Sequence, residues 1–173
     1  MKSQQNIFLI GPRACGKTSV GLLLADRLGV EFVDTDHALV RTMGSEIAEY
    51  VERRGWDAFR DREAETLLRE AMPGKRVVGC GGGIVLREEN RAILQGGITV
   101  YLKVDPEELA RRLMADPNEK QRPSLTGKTL VDEVREVLIE RTPLYEGCAD
   151  IVVSGTSPDA VVDQILRELE RLS

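Results

Sequence analysis

The sequence predicts a three-layer α/β/α fold built on a five-stranded parallel sheet. Short apolar runs typical of buried strands alternate with longer stretches that have the periodicity of helices. Repeated strand–helix–strand units favour parallel strands with helices on both faces, because each crossover helix covers one face of the sheet. The five predicted strands cover residues 7–10, 31–33, 76–78, 98–102 and 151–153.

Capping residues, glycines and prolines mark the predicted helix boundaries. The first helix is predicted over Lys17–Leu28, with Gly29 as its stop. Asp105 and Ser157 each precede a proline, which is the preferred residue at the first position of a helix. The other predicted helices cover residues 45–72, 88–94, 106–114, 130–145 and 158–172.

Length and composition limit the class of protein. A chain of 173 residues predicts one domain, over residues 1–173. The net charge of −5, with no basic run, argues against a large nucleic-acid surface. No apolar stretch has the length of a membrane span or of a signal peptide. Three scattered cysteines form no disulfide framework, so we expect a cytoplasmic protein.

A phosphate-binding loop is predicted directly after the first strand. Residues Gly11–Thr18 read GPRACGKT, which matches the pattern G-x-x-x-x-G-K-[ST]. The glycines let backbone N–H groups point at phosphate oxygens, Lys17 places a positive charge on them, and Thr18 offers a hydroxyl to Mg²⁺. A plain glycine turn between strand and helix is the alternative. The pattern and its position favour binding of a nucleoside triphosphate.

Two acidic residues follow the second predicted strand. Asp34 and Asp36 are separated by one threonine. One carboxylate could help to hold Mg²⁺, and the other could accept hydrogen bonds from a substrate hydroxyl. Alternatively, these acids only cap the next helix.

An arginine and a glycine triplet are further candidates for a substrate site. Arg60 precedes Glu63 by three residues, so Glu63 can hold its guanidinium on one helical face. An arginine held in this way can bind a carboxylate through two hydrogen bonds. A solvated ion-pair helix would explain the same residues. Gly81–Gly83 follow the third strand and permit close backbone approach to a ligand, although a simple turn is the alternative.

The second half of the chain contributes four more candidates. Residues 116–128 contain proline, asparagine, glycine and charge, which predicts a mobile loop. Arg122 in this loop could close over a triphosphate and stabilise its charge. Arg141 is a second arginine on the helix that follows. Arg112 and Pro158 could flank an adenine, but a helix surface and a cap explain them equally well.

Together these motifs resemble those of the shikimate kinase family. Their order and spacing extend over nearly the whole chain and make the resemblance specific. Its carriers are GPRACGKT at Gly11–Thr18, FVDTD at Phe32–Asp36, FRDRE at Phe59–Glu63, GGG at Gly81–Gly83, RPSLTGK at Arg122–Lys128 and ERTPLY at Glu140–Tyr145.

The resemblance implies a specific reaction and fold. The reaction is Mg²⁺-dependent transfer of the ATP γ-phosphate to the 3-hydroxyl of shikimate, in chorismate and aromatic amino-acid biosynthesis. The implied fold is that of the P-loop NTPases, similar to nucleoside monophosphate kinases, in a monomeric chain without nucleic-acid or membrane partners. A kinase for another small acceptor, such as gluconate or a nucleoside monophosphate, and a non-catalytic nucleotide switch are the alternatives.

The resemblance also implies residue roles. Catalysis would depend on Lys17, Asp36 and Arg122. ATP would be bound by Ala14, Cys15, Gly16, Lys17, Thr18, Arg112, Arg122 and Pro158. Shikimate would be bound by Asp36, Arg60, Gly82 and Arg141, and Mg²⁺ by Thr18 and Asp34. A lid is implied over residues 114–126 and a substrate-binding helical region over residues 37–72.

Overall fold

A parallel sheet forms the centre of the molecule. The computed structural model describes residues 5–116 and 129–173. The strands of these residues are β1 (Ile7–Ile10), β2 (Glu31–Asp34), β3 (Arg76–Gly79), β4 (Ile98–Leu102) and β5 (Ile151–Val153). They pair in the order β2-β3-β1-β4-β5, with all four pairings parallel. The predicted sheet is therefore confirmed.

Helices cover both faces of this sheet. Those of the described residues are α1 (Lys17–Leu28), α2 (Thr35–Met43), α3 (Ile47–Ala71), α4 (Glu88–Leu94), α5 (Pro106–Ala115), α6 (Leu130–Cys148) and α7 (Pro158–Leu172), with a 3₁₀ turn at Ile84–Leu86. The bounds of α1 and α4 agree with the predicted ones. Ser157 caps α7 as predicted, since its hydroxyl accepts a hydrogen bond from the N–H of Ala160.

The hydrophobic core lies on both faces of β1. Ile7 and Leu9 belong to one apolar cluster, which they share with residues of α1, α5 and α7. Phe8 and Ile10 belong to a second cluster, with residues of α3, α4 and α6. Successive side chains of a strand point to opposite faces, so the central strand contributes to both clusters and the fold has three layers.

The chain between β2 and β3 differs from the prediction of one helix over residues 45–72. A separate helix, α2, begins directly after β2, because the Asp34 carboxylate accepts hydrogen bonds from the N–H groups of Asp36 and His37. The second helix, α3, is interrupted at Gly55, where φ is 83° and ψ is 168°. This backbone conformation is essentially restricted to glycine. The predicted single helix is therefore corrected to two helices, the second with a break.

The strand order places the carboxyl ends of three strands side by side. β2, β3 and β1 are neighbours, and Gly79 of β3 is paired with Leu9 on one side and Asp34 on the other. The carboxyl ends of parallel strands lie at one edge of a sheet, where ligands of such folds bind. These strand ends and the segments that follow them carry most of the predicted site residues. None of the helices in residues 5–116 and 129–173 is long and apolar enough to span a membrane.

Candidate active site

A cavity of about 1310 Å³ opens at this edge of the sheet. It is lined by all the predicted site residues that the structure describes, namely Ala14, Cys15, Gly16, Lys17, Thr18, Asp34, Asp36, Arg60, Gly82, Arg112, Arg141 and Pro158. Arg122 and residues 117–126 of the predicted lid lie outside the described residues. The predicted nucleotide and substrate residues therefore face one continuous space.

Lys17 lies against the backbone of the phosphate-binding loop. Its ammonium group donates hydrogen bonds to the carbonyl oxygens of Gly11, at 2.7 Å, and Pro12, at 2.8 Å. The loop holds Ala14 at a φ of 65°, which is uncommon for a residue with a side chain. A positive charge thus lies within the loop that connects β1 to the N-terminus of α1, where anions are favoured.

Arg112 joins α5 to the same loop. Its guanidinium donates to the carbonyl oxygen of Ala14 at 3.0 Å and to the Glu108 carboxylate at 2.9 Å. Hydrogen bonds from Arg111 and then Arg112 lower the pKa of Glu108 to about 2. Glu108 therefore stays ionised and holds Arg112 beside the loop. The sequence did not indicate the contact with Ala14, because the two residues are far apart along the chain.

Thr18 and Asp34 meet between the phosphate-binding loop and the end of β2. The Thr18 hydroxyl donates to one carboxylate oxygen of Asp34 at 3.1 Å, while the other oxygen caps α2. Asp34 therefore caps α2 with one oxygen and leaves the other beside Thr18, so the cap does not exclude the predicted role at Mg²⁺. The pair offers oxygen ligands, and Mg²⁺ in phosphate-binding sites typically takes one or two protein oxygens with phosphates and waters. No group of three or more histidine, cysteine or carboxylate ligands occurs in the described part of the chain, which is compatible with such a sparse site.

Gly81 lies where two carboxylates converge. A β-carbon at this position would be 2.8 Å from Asp36 Oδ1 and 2.9 Å from Glu63 Oε2. The N–H of Gly81 donates to the Thr35 hydroxyl at 3.1 Å, which connects the triplet to the start of α2. The absence of a side chain here gives both acidic groups their space.

Gly82 and Gly83 bring two arginines to the same loop. A β-carbon on Gly83 would be 2.5 Å from Arg60 Cζ, and one on Gly82 would be 3.7 Å from Arg141 Nη1. Neither glycine has a positive φ. Gly81 and Gly83 are therefore required for space, because charged side chains of the protein approach them closely, whereas a β-carbon on Gly82 would meet only ordinary van der Waals contacts.

Arg60 is held rigidly. Its guanidinium donates to Glu63 at 2.7 Å, with side chains that are only 15% and 2% exposed. Arg60 Cζ is 5.3 Å from the ring centroid of Trp56 and 5.2 Å from that of Phe59, within range of cation–π attraction. The predicted Arg60–Glu63 pair is confirmed, and its burial rules out the solvated surface pair.

The buried environment of Glu63 changes the pKa of its carboxyl group. Desolvation by burial raises its pKa, and the positive charges of Arg60 and Arg141 offset part of that shift. The Nε of Arg141 is buried and has no hydrogen-bond partner among residues 5–116 and 129–173. Two guanidinium groups beside carboxylates form a site that suits an anionic ligand carrying hydroxyl groups.

Two groups of residues at the site were not predicted individually. An apolar wall is formed by Val40, Ile47 and Val51 of α2 and α3, and Trp56 follows on the same helix. All four lie in the region 37–72 that the resemblance implied as substrate-binding, but no role was predicted for any of them individually, and only Val40 belongs to the unrecognised α2. Tyr145 lies behind the glycine triplet and contacts Gly82. The motif ERTPLY contains it, one helical turn after Arg141, and this spacing could have indicated that it lies near Arg141 but not that it contacts Gly82.

Comparison with known families decides which kind of site this is. The family model described as shikimate kinase matches residues 13–170. The chain belongs to the shikimate kinase family. Its phosphate donor is accordingly ATP, as throughout this family of kinases. The match begins inside the phosphate-binding loop and ends in α7, so it includes every element of the site.

Curated relatives of the family agree with this membership. The chain is 51% identical over 157 residues to the shikimate kinase of Nitratidesulfovibrio vulgaris, with 90% of each chain covered. It is 47% identical over 167 residues to shikimate kinase 2 of Yersinia enterocolitica, with 95% of each covered.

Solved structures of the family share the fold. The shikimate kinase of Acinetobacter baumannii, in complex with shikimate, has a TM-score of 0.92 and 32% identity over 99% of this chain and 96% of its own. That of Bacteroides thetaiotaomicron has a TM-score of 0.87 and 30% identity, covering 96% and 99%. A gluconokinase of Sinorhizobium meliloti, at 17% identity and a TM-score of 0.53, shares the fold alone.

Proposed function

We propose that this member of the family transfers the γ-phosphate of ATP to the 3-hydroxyl of shikimate and releases 3-phosphoshikimate and ADP, with Mg²⁺, in chorismate and aromatic amino-acid biosynthesis. One observation carries the proposal. Arg60 and Arg141 meet Asp36 around Gly81–Gly83, inside the cavity that also contains the phosphate-binding loop. Shikimate has a carboxylate and several hydroxyls, which match these groups in charge and in hydrogen bonding.

Shikimate would bind at the glycine triplet. Arg60 and Arg141 bind its carboxylate, and Asp36 accepts hydrogen bonds from its hydroxyls. Gly82 contributes backbone and leaves room for the ring. Because Glu63 and the aromatic rings hold Arg60 before substrate arrives, little conformational freedom is lost on binding.

ATP would bind along the phosphate-binding loop. Backbone N–H groups of Ala14, Cys15 and Gly16 surround the phosphates, and Lys17 exchanges its contacts with carbonyl oxygens for contacts with the β- and γ-phosphates. Arg112, which bonds to the carbonyl oxygen of Ala14, and Pro158 flank the adenine.

Phosphoryl transfer depends mainly on position and on charge stabilisation. Lys17 and Arg122 stabilise the charge on the transferred group, and Asp36 accepts the proton of the attacking hydroxyl. For Arg122 the support is the sequence resemblance alone. Thr18 and Asp34 would hold Mg²⁺, whose chemistry at such a site is to neutralise phosphate charge.

Acceptor-dependent release of ADP tests the proposal. Purified protein is incubated with ATP and Mg²⁺ and with shikimate, gluconate, AMP or no acceptor. We expect turnover with shikimate only. Turnover with gluconate or AMP instead would identify a different kinase, and a protein that binds ATP but responds to no acceptor would be a nucleotide switch.

We further propose that the enzyme is monomeric and cytoplasmic. For the monomeric state the support is the sequence resemblance alone. Cys15, Cys80 and Cys148 are free thiols, which suits a reducing compartment. Light scattering during size-exclusion chromatography tests the first point, and fractionation of cells tests the second.

A further inference from the structure

Tyr145 is a buried residue directly behind the proposed shikimate site. Its side chain is 0% exposed, and its ring stacks on Tyr101 with centroids 5.1 Å apart. Its hydroxyl donates a short hydrogen bond to the carbonyl oxygen of Gly82. Packing therefore fixes the ring, and the fixed ring holds the backbone of a residue that lines the cavity.

The same hydroxyl faces Arg141. Arg141 and Tyr145 are four residues apart on α6, a spacing that places two side chains on one face of a helix. Desolvation by burial raises the pKa of Tyr145, and the charge of Arg141 and a hydrogen bond from it offset part of this shift. The hydroxyl thus remains a donor at neutral pH. It bonds to Gly82 and lies on the same face of α6 as Arg141, so it adjoins two of the four residues proposed to bind shikimate.

The hydrogen bond from Tyr145 to Gly82 fixes the orientation of the whole peptide group between Gly82 and Gly83. In a trans peptide the C=O and the next N–H point in opposite directions, so holding the Gly82 carbonyl also fixes the direction of the Gly83 N–H. Glycine has no side chain that would resist rotation of this segment. Gly83 in turn supports the guanidinium of Arg60. A loop of three glycines next to four charged groups needs such an external restraint.

We propose that Tyr145 is a positioning residue for shikimate, whose hydroxyl holds the Gly82 carbonyl, beside Arg141, in the arrangement that binds the substrate. This inference rests on the proposed function. It assigns a role to a residue that touches neither ATP nor the reacting atoms.

The chain offers a matched pair of variants. Y145F removes the hydroxyl that bonds to Gly82. Y101F removes the hydroxyl of the other ring in the same stacked pair, which is also buried but whose side-chain partner is Thr142. Both substitutions remove one buried polar atom and keep the packed rings, so only the effect on the glycine loop differs.

We expect Y145F to raise the KM for shikimate by about three- to tenfold, the range that corresponds to one hydrogen bond. The KM for ATP changes by less than about twofold in both variants, and Y101F leaves the KM for shikimate within the same limit. Quenching of Trp56, the single tryptophan and a cavity residue, measures the dissociation constant of shikimate without turnover. This constant rises with the KM in Y145F.

Other outcomes distinguish a failure of the positioning role of Tyr145 from a failure of the proposed function. Equal shikimate constants in Y145F and Y101F, or an equal rise in the ATP and shikimate constants of Y145F, would show that the hydroxyl serves stability alone. If wild-type protein releases no ADP with shikimate, the proposed function fails and this role fails with it. If Y145F does not fold, Tyr145→Met is the replacement, since methionine fills irregular core space.

Discussion

The guanidinium of Arg60 lies directly against the α-carbon of Gly83. The two residues come from α3 and from the loop after β3, and a β-carbon on Gly83 would be only 2.5 Å from Arg60 Cζ. Glu63 and the rings of Trp56 and Phe59 hold the guanidinium from other directions. Arg60 therefore has a single well-defined position, which depends on the lack of a side chain at residue 83.

Gly83→Ala should weaken shikimate binding selectively. The added methyl group displaces Arg60, and the loss of its charge-assisted hydrogen bonds should raise the KM for shikimate by about 10- to 100-fold. Gly147→Ala is the control, because nothing lies within 4 Å of a β-carbon at that helical position. Similar shikimate constants in the two variants would contradict the proposed role of Arg60.

Glu63→Gln should change the dependence of stability on pH. Burial raises the pKa of Glu63 above 4.5, its value in an unfolded chain, so the folded state binds the proton more tightly. The free energy of unfolding of the wild type, relative to that of E63Q, should therefore fall as pH rises from 4.5 through the raised pKa. Urea denaturation from pH 4 to pH 8 measures this difference. If the free energies of unfolding of the two proteins changed in parallel with pH, a raised pKa of Glu63 in the folded state would be excluded.

Lys17→Met should almost abolish turnover. Lys17 carries the positive charge of the phosphate-binding loop, and its loss should reduce kcat by at least about 100-fold. Lys103→Met is the matched control, since Lys103 pairs with Glu146 at the surface. Steady-state kinetics, with thermal unfolding to verify the fold, distinguish the two. Wild-type rates in K17M would overturn the proposed mechanism.

Asp34→Asn should separate metal binding from helix capping. Asparagine caps helices about as well as aspartate, so the melting temperature should stay near that of the wild type. The lost charge should raise the Mg²⁺ concentration for half-maximal activity by at least about tenfold. A titration of activity with Mg²⁺ at saturating ATP tests this. An unchanged midpoint would remove Asp34 from the metal site.

The sequence predicted those parts of the fold that have local signals. The bounds of α1 follow from its apolar face and from Gly29, and β4 and β5 follow from isolated apolar runs. The start of α2 was missed because Asp34 is at once the last residue of β2 and the cap of the helix. The break at Gly55 was missed because a glycine within a helix and a glycine that interrupts one look alike in sequence.

The same limit applies to the site: contacts with a local spacing could be predicted, and contacts to distant backbone could not. The Arg60–Glu63 pair has a helical spacing and could be found, whereas Arg112 on the carbonyl of Ala14 and Tyr145 on that of Gly82 join side chains to distant backbone. Such contacts leave no periodic pattern, because backbone groups are the same at every residue. Only the tertiary structure brings them together.

The central place of β1 in the sheet has a consequence for synthesis of the protein. The partners of this apolar strand begin only at Arg76 and Ile98. At roughly 5–20 residues per second, a ribosome needs several seconds to supply them. Throughout that time the earliest strand of the nascent chain has no neighbour on either edge. The strand that becomes the most enclosed in the folded sheet is thus the one whose edges stay unpaired for longest during synthesis, when unpaired edges favour aggregation.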